Sequence, residues 1–153
     1  MLQACAYNGR RECRVDLPPE EAAELRQHTD RLSIDFIFLI APTTPSDRIK
    51  KLSAKASGFI YYVSITGVTG TEKPSITSIK DEVTRIRTIT GLPVVVGFGI
   101  SAPRQARDIA PYVDGVVVGS AFVKLIAENN NKNNLVHIVA FYAKEIKTAI
   151  QGI

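Results

Sequence analysis

The sequence predicts an α/β fold built on a parallel sheet, and three patterns predict it. Short apolar runs without polar alternation recur along the chain, as strands buried on both faces require. Amphipathic helical stretches separate those runs. Two of the runs end in glycine turns that lead straight into helix starts. The clearest is Leu92-Pro93-Val94-Val95-Val96-Gly97-Phe98-Gly99-Ile100-Ser101. Pro93 breaks the preceding helix, three valines favour a strand, and Ser101 is placed as an N-cap with Pro103 in the first helical turn. Twenty residues on, Gly115-Val116-Val117-Val118-Gly119-Ser120-Ala121 repeats the pattern. A strand, a glycine turn and a helix N-terminus together let backbone N–H groups approach an anion. Two such turns side by side resemble the phosphate site after strands 7 and 8 of a (β/α)8 barrel, and two ordinary βα turns would look the same.

Taken from the start, residues 1–14 open on a helical turn and then lose any apolar pattern. Pro18 and Pro19 set the entry to a helix through Glu24, Leu25 and His28 to about Arg31, with acidic residues in its first turn. Ile34–Ile40 reads as a buried strand. Ala41–Ser46 leads to a helix carrying Ile49, Leu52, Ser53 and Ala56 on one face, closed by Gly58. Phe59–Ser64 is the next strand. The loop Ile65–Lys73, with two glycines and three threonines, is either a lid or a plain surface connection. Ile76, Ile79, Val83, Ile86 and Ile89 mark a helix ended by Gly91. After the strand at 93–97 come a short helix at 102–109, the strand at 115–118 and a helix starting at Ser120. The polar tract 128–134 is a linker, and Leu135, Ile138, Val139, Tyr142 and Ile146 form the stripe of the last helix.

Four strands at 34–40, 59–64, 93–97 and 115–118 alternate with helices, which means parallel pairing and right-handed crossovers. An open doubly wound sheet fits this count. A closed eight-stranded barrel, which typically takes about 250 residues, does not; four strands make half of one. The chain of 153 residues is 45% hydrophobic, enough for a real core. Its formal charge of +4 comes from scattered basic residues, so no nucleic-acid surface is expected. Cys5 and Cys13 form no metal-ligand pattern with His28 or His137, and two thiols make no disulfide framework, so no metal is expected and a reducing cytoplasm is the default. The apolar runs are too short to span a membrane.

Val15-Asp16-Leu17-Pro18-Pro19-Glu20-Glu21, Ala41-Pro42-Thr43-Thr44-Pro45, Gly58–Ser64 with Thr66-Gly67-Val68-Thr69-Gly70, Pro93–Ile100 and Asp114–Ala121 occur in this order in one family. Over residues 15–150 the chain closely resembles the C-terminal part of the tryptophan synthase alpha chain. The resemblance implies a partial (half) TIM barrel holding strands 5–8, with residues 1–14 a divergent N-terminal segment and 15–153 the half-barrel. It implies a lyase of tryptophan biosynthesis that cleaves indole-3-glycerol phosphate to indole and glyceraldehyde 3-phosphate, without a cofactor, and passes indole to a beta chain. It places the substrate phosphate on Gly70, Gly99, Gly119 and Ser120, and the substrate pocket at Tyr61 and Phe98. Thr69 falls in the lid loop, and Asp16 with Pro18 on a loop facing the partner.

The same resemblance implies that the family's acid–base glutamate and its indole-stabilising aspartate lie in an N-terminal half with no counterpart here, so no catalytic residue is assigned. Where the family has an apolar strand, this chain has Gly9-Arg10-Arg11-Glu12-Cys13-Arg14, the pattern a local reading-frame change in a gene remnant would leave. Three arginines and a glutamate are poor material for a strand buried on both faces, so residues 7–14 are expected outside any strand. The edge at 34–40 and the inward strand faces are then uncovered, which predicts self-association. Two function classes follow: a lyase polypeptide that needs the missing half, or a non-catalytic fragment that at most binds phosphate or a partner.

Overall fold

Apolar runs and amphipathic helices assemble, in the computed structural model, into one parallel sheet; the structure describes residues 11–14, 27, 31, 32, 34–64, 75–97 and 99–151. The strands are β1 (Arg11–Arg14), β2 (Asp35–Ile40), β3 (Ile60–Val63), β4 (Val94–Gly97) and β5 (Gly115–Val117). They pair in chain order, all parallel. Among the described residues the helices are α1 (Ser46–Ser53), α2 (Ile76–Thr90), α3 (Pro103–Ile109), α4 (Ser120–Asn129) and α5 (Leu135–Gln151), with a 3-10 turn at Ala110–Tyr112. Sequential parallel order with a helix in each described crossover is the βαβ arrangement that the alternation predicts.

The four expected strands are present, and β1 is a fifth. The expectation that residues 7–14 stay outside the sheet is wrong for Arg11–Arg14, which pair with Asp35–Phe38 in parallel register. The expected penalty belongs to charged side chains buried on both faces of a strand, whereas the observed pairing is made by the backbone. At the end of a sheet, a segment bonds through its backbone along one side only, and charged residues are common on such edges. Parallel pairing with β2 requires of this segment only its amides and carbonyls.

One face of the sheet carries the main core. Phe36, Phe38 and Ile40 of β2, Ile60 and Tyr62 of β3, and Val94 and Val96 of β4 pack with Ile49 and Leu52 of α1, Ile79, Val83 and Ile86 of α2, Ala106 and Ile109 of α3, and Ile146 of α5. The alternate strand residues face the other way: among the described residues, Ile37 and Phe59, with Leu39, Tyr61 and Val95 against them, form a second cluster in the sheet layer. Side chains on a strand alternate faces, so these two sets are fixed together. Burial, with the Glu82 carboxylate adding to it, pushes the Tyr62 hydroxyl up to about 12 despite the opposing charge of Arg85.

Helix ends follow the sequence in most places and depart from it in two. Ser75 caps α2, its Oγ accepting the Ser78 N–H at 3.1 Å, and Gly91 ends that helix at φ 66°. Gly58, by contrast, does not close α1, which stops at Ser53. At φ 74° it instead turns the chain into β3, and a Cβ there would stand 2.9 Å from the Asp35 carboxyl. Ser101 does not cap α3; the helix begins at Pro103, and the Gln105 side chain accepts the Ser101 and Ala102 N–H groups at 2.9 and 3.1 Å. Gln105 thus reaches back to the N–H groups that precede the helix, and Ala102 at the N-cap makes no side-chain cap. The helix expected through 24–31 and the loop at 65–73 fall largely or wholly outside the described residues.

Two polar ties fix how β4 and α2 sit. Arg85 donates to Glu82 at 2.7 Å, to the Ser46 hydroxyl at 3.0 Å and to the Thr44 carbonyl at 3.4 Å, holding the β2–α1 connection against α2. Asp114 accepts the Val94 N–H at 2.8 Å and Arg87 Nη2 at 2.7 Å, pinning the start of β4 to the start of β5. Partial burial would raise the Asp114 carboxyl, but these two hydrogen bonds and the Arg87 charge outweigh it and hold it below the usual 3.8. Because the folded value is the lower one, the stabilisation is complete above the ordinary carboxylate range and disappears as pH falls through the folded value. Asp114→Asn should therefore lower the urea midpoint at pH 7, on the scale of one hydrogen bond (about 1 kcal/mol), and the gap from wild type should shrink as the pH drops below 3.8.

Tyr142 gives a second test. Its ring meets Phe122 edge-on at 4.9 Å, joining α5 to α4, while its buried hydroxyl has no hydrogen-bond partner and burial raises its pKa. A buried donor without a partner is destabilising. Tyr142→Phe keeps the ring contact and should raise the melting temperature, in line with a gain of about 1 kcal/mol.

Candidate functional site

Parallel pairing brings the C-terminal ends of β3, β4 and β5 to one edge of the sheet. The register sets Val63 beside Gly97 and Gly97 beside Val117, so the three strands end level. Segments leaving that edge include Gly99 and the Gly119–Ser120 helix start. Loops at the carboxyl ends of parallel strands are where α/β folds place ligand sites.

Gly99 has φ 37°, a left-handed conformation that a side chain would strain. It sits two residues past the end of β4, before Ser101 and α3. Gly119 is the residue before α4, and its carbonyl accepts the Phe122 and Val123 N–H groups at 2.9 and 3.2 Å. Ser120 is exposed at the first position of that ten-residue helix. The first turn of a helix presents N–H groups without partners further back in the helix, at the positive end of its dipole. This edge therefore offers neutral donors and a favourable field to an anion, with no lysine or arginine needed.

Gly97 has a different role from the turn glycine that the sequence pattern indicated. It is the last residue of β4, and its Cα lies against the Tyr61 ring. A Cβ there would overlap the Tyr61 hydroxyl and approach Cζ to 2.7 Å. Tyr61 and Gly97 are diagonal neighbours on the face opposite the main core, since Tyr61 pairs with Val95 and Val63 with Gly97. Gly115 repeats the fit one strand over, where a Cβ would stand 3.3 Å from Val95. Glycines in adjacent strands thus make room for the larger side chains beside them. Ser64, just past β3 and 4% exposed, has a buried hydroxyl with no hydrogen-bond partner.

Of the residues singled out by sequence, the structure places Tyr61, Gly99, Gly119 and Ser120 at or next to this edge. Asp16, Pro18, Thr69, Gly70 and Phe98 lie outside the described residues. The sequence reading missed Ser64, the fit of Tyr61 over Gly97, and the Asp114 tie. A glycine ending an all-valine strand, two residues before a second glycine, is the signal that could have revealed the Gly97 fit. Nothing local marks Ser64. Among the described residues, no group of three or more His, Cys, Asp or Glu is placed to hold a metal ion, and no helix is long and apolar enough to cross a membrane.

Fold and edge together define an α/β chain whose glycine turns Gly99 and Gly119 leave one rim of a parallel sheet. The family model of the tryptophan synthase alpha chain matches residues 13–151. The chain belongs to the tryptophan synthase alpha chain family. It is 48% identical over 138 residues to the alpha chain of Desulfatibacillum aliphaticivorans, covering 90% of this chain and 52% of that one. With the Geobacter sulfurreducens alpha chain it shares 49% over 136 residues, 89% of this chain and 51% of the relative. Among solved structures, tryptophan synthase subunit alpha from Legionella pneumophila str. Paris superimposes with a TM-score of 0.82 at 30% identity, over 94% of this chain and 53% of that one. An aminoacrylate-bound tryptophan synthase from M. tuberculosis gives 0.73 at 29% identity, over 90% and 49%. The chain spans about half the length of the curated relatives it matches.

The Gly97–Tyr61 fit yields a direct test. Gly97→Ala should destabilise the fold by about 1–3 kcal/mol, the usual range for overpacking, by forcing the Tyr61 ring off its position. Tyr61→Ala in the same chain removes the collision, so a double-mutant cycle in urea should show strong coupling. Additive effects would mean the ring moves aside without cost.

Proposed function

We propose that this chain is the phosphate-holding part of a tryptophan synthase alpha-type lyase of tryptophan biosynthesis. Its described strands form part of a (β/α)8 barrel, with β2–β5 in the places of barrel strands 5–8. The substrate is indole-3-glycerol phosphate. Backbone amides at Gly70, Gly99, Gly119 and Ser120 hold its phosphate, the Ser120 hydroxyl adding a donor. Tyr61 and Phe98 line the part of the pocket that takes the indole, Thr69 belongs to the closing loop, and Asp16 with Pro18 faces a beta chain. The setting is the cytoplasm. The observation that carries this reading is the level rim of β3–β5, where Gly99 at φ 37° and the Gly119–Ser120 helix start leave the same edge.

Division of the reaction follows from what these residues are. The rim residues binding phosphate are neutral, so they fix the substrate without moving a proton. Cleaving the bond between indole and the glycerol phosphate requires a proton delivered to the indole ring and another removed from the glycerol hydroxyl. Positioned acid–base groups are worth about 10²–10⁴-fold each. The family's two carboxylates for this work belong to the half that these 153 residues do not span, so the chain is catalytic only with that half supplied.

Titration of the folded chain with inorganic phosphate or glycerol phosphate should shift the NMR amide signals of Gly99, Gly119 and Ser120. Gly99→Val should abolish the shifts, because a branched side chain is strained at φ 37° and occupies the anion's approach. The chain alone should show no cleavage of indole-3-glycerol phosphate. Absence of phosphate-dependent shifts in a folded sample overturns the binding reading, and robust turnover by the chain alone overturns the division of labour.

A further inference from the structure

We infer that Gln105 is a positioning residue for phosphate binding: its side-chain carbonyl holds the turn that presents Gly99 to the anion, and keeps the anion at Gly99 and the start of α4, away from α3. The inference rests on the phosphate reading above. Gln105 Oε1 accepts the Ser101 N–H at 2.9 Å and the Ala102 N–H at 3.1 Å, and lies 3.4 Å from the Ser101 hydroxyl. Residue 103 is proline and has no N–H to offer. Three consecutive positions leading into α3 therefore turn no amide toward an anion. The Gln105 N–H goes to the Ala102 carbonyl at 3.1 Å. At α4 the arrangement differs, because its N-cap is Gly119, which has no side chain to put over the helix start. Of two helix starts leaving one rim, Gln105 closes one and nothing of that kind caps the other.

The same two hydrogen bonds act on Gly99. It is exposed at φ 37°, and the chain is fixed on both sides of it. Gly97, two residues earlier, is paired in β4 with Val63 and Val117. Ile100, directly after it, is 2% exposed in the main core with Ala106 and Ile109 of α3. A buried side chain sets a position but leaves the neighbouring peptide planes some freedom to rotate. Anchoring the next two amides on Gln105 removes that freedom. Glycine has the widest choice of backbone angles, so Gly99 depends most on anchors outside itself. A turn ordered in advance spares the anion the cost of ordering it on binding.

The test is an NMR titration of the 153-residue chain with inorganic phosphate, with amide exchange measured before phosphate is added. In the wild type, the Ser101 and Ala102 amides should exchange slowly and change little on titration, while Gly99, Gly119 and Ser120 shift. Gln105→Met fills the same space without an acceptor. Exchange at Ser101 and Ala102 should then be about tenfold faster. Phosphate should bind about fivefold more weakly, the scale of one lost hydrogen bond, in a chain whose melting temperature shows it folded. Gln105→Glu keeps an acceptor of the same reach and should restore slow exchange at both amides. A helix cap with no part in binding would leave the phosphate affinity of folded Gln105→Met unchanged. That result overturns the inference, as does failure of Gln105→Glu to restore slow exchange. The wild-type titration needs no variant and stands if Gln105→Met does not fold: shifts concentrated at Ser101 and Ala102 would mean that phosphate displaces Gln105, and would also overturn it. A folded wild type without any phosphate-dependent shift removes the phosphate reading and this inference together, whereas wild-type binding that Gln105→Met leaves intact removes the inference alone.

Discussion

The two-residue alternation of the strands, with one set of side chains buried under helices, constrains everything else in this molecule. Phe36, Phe38, Ile40, Ile60, Tyr62, Val94 and Val96 must all point to the same side to meet Ile49, Ile79, Val83 and Ile86, and each of these is at most 3% exposed. A slip of one residue in any strand would exchange its buried set for the opposite one. Once the helix face is satisfied, Leu39, Tyr61, Val95 and Gly97 have no freedom to face elsewhere. The fit of Tyr61 over Gly97 is thus a consequence of the core, reached through the backbone and not through any contact with it. Burying the large aliphatic side chains, worth about 1.5–3 kcal/mol each, far exceeds what a local misfit on the other face could cost.

Polar ties then refine what hydrophobic burial leaves loose. Burial fixes which face a residue occupies but is tolerant of small shifts along the strand. Asp114 removes that tolerance at the start of β4, since its carboxylate bonds the Val94 N–H and Arg87 at once. Arg85 does the same for the connection at Thr44–Ser46. Both ties are partly exposed, so each contributes modestly in energy; their effect is on position. The level ends of β3, β4 and β5 depend on register being held to one residue, and a tie at the base of β4 acts on that register directly.

Most of the fold could be read from the sequence because it rests on local patterns. The all-valine run at 94–96, the three- and four-residue spacing of Ile79, Val83 and Ile86, and Gly91 as a stop are each set by residues within one element. Ser75, unremarked in the sequence, caps its helix by the same local logic. The departures have non-local causes. Gly58 looks like a helix stop but answers to Asp35 across the sheet. Ser101 looks like a cap but lies one residue before the N-cap Ala102, and its own N–H is bound by Gln105 from one turn on. Arg11–Arg14 carry charges that suit no strand buried on both faces, yet backbone pairing with β2 places them at the end of the sheet. At the candidate site the glycine and serine turns were legible for the same local reason, while Ser64 and the Tyr61–Gly97 fit depend on neighbours that only strand pairing brings together.

The two faces of this parallel sheet are built differently. The rim that carries Gly99, Gly119 and Ser120 is assembled from β3, β4, β5 and the helices behind them, and every tie described for it lies on the helix-covered side or along the strands. Its geometry therefore rests on contacts contained within these residues. On the opposite face the described contacts of Ile37, Phe59, Leu39, Tyr61 and Val95 run along the sheet layer. Binding an anion asks only for fixed backbone donors and so suits the first kind of surface.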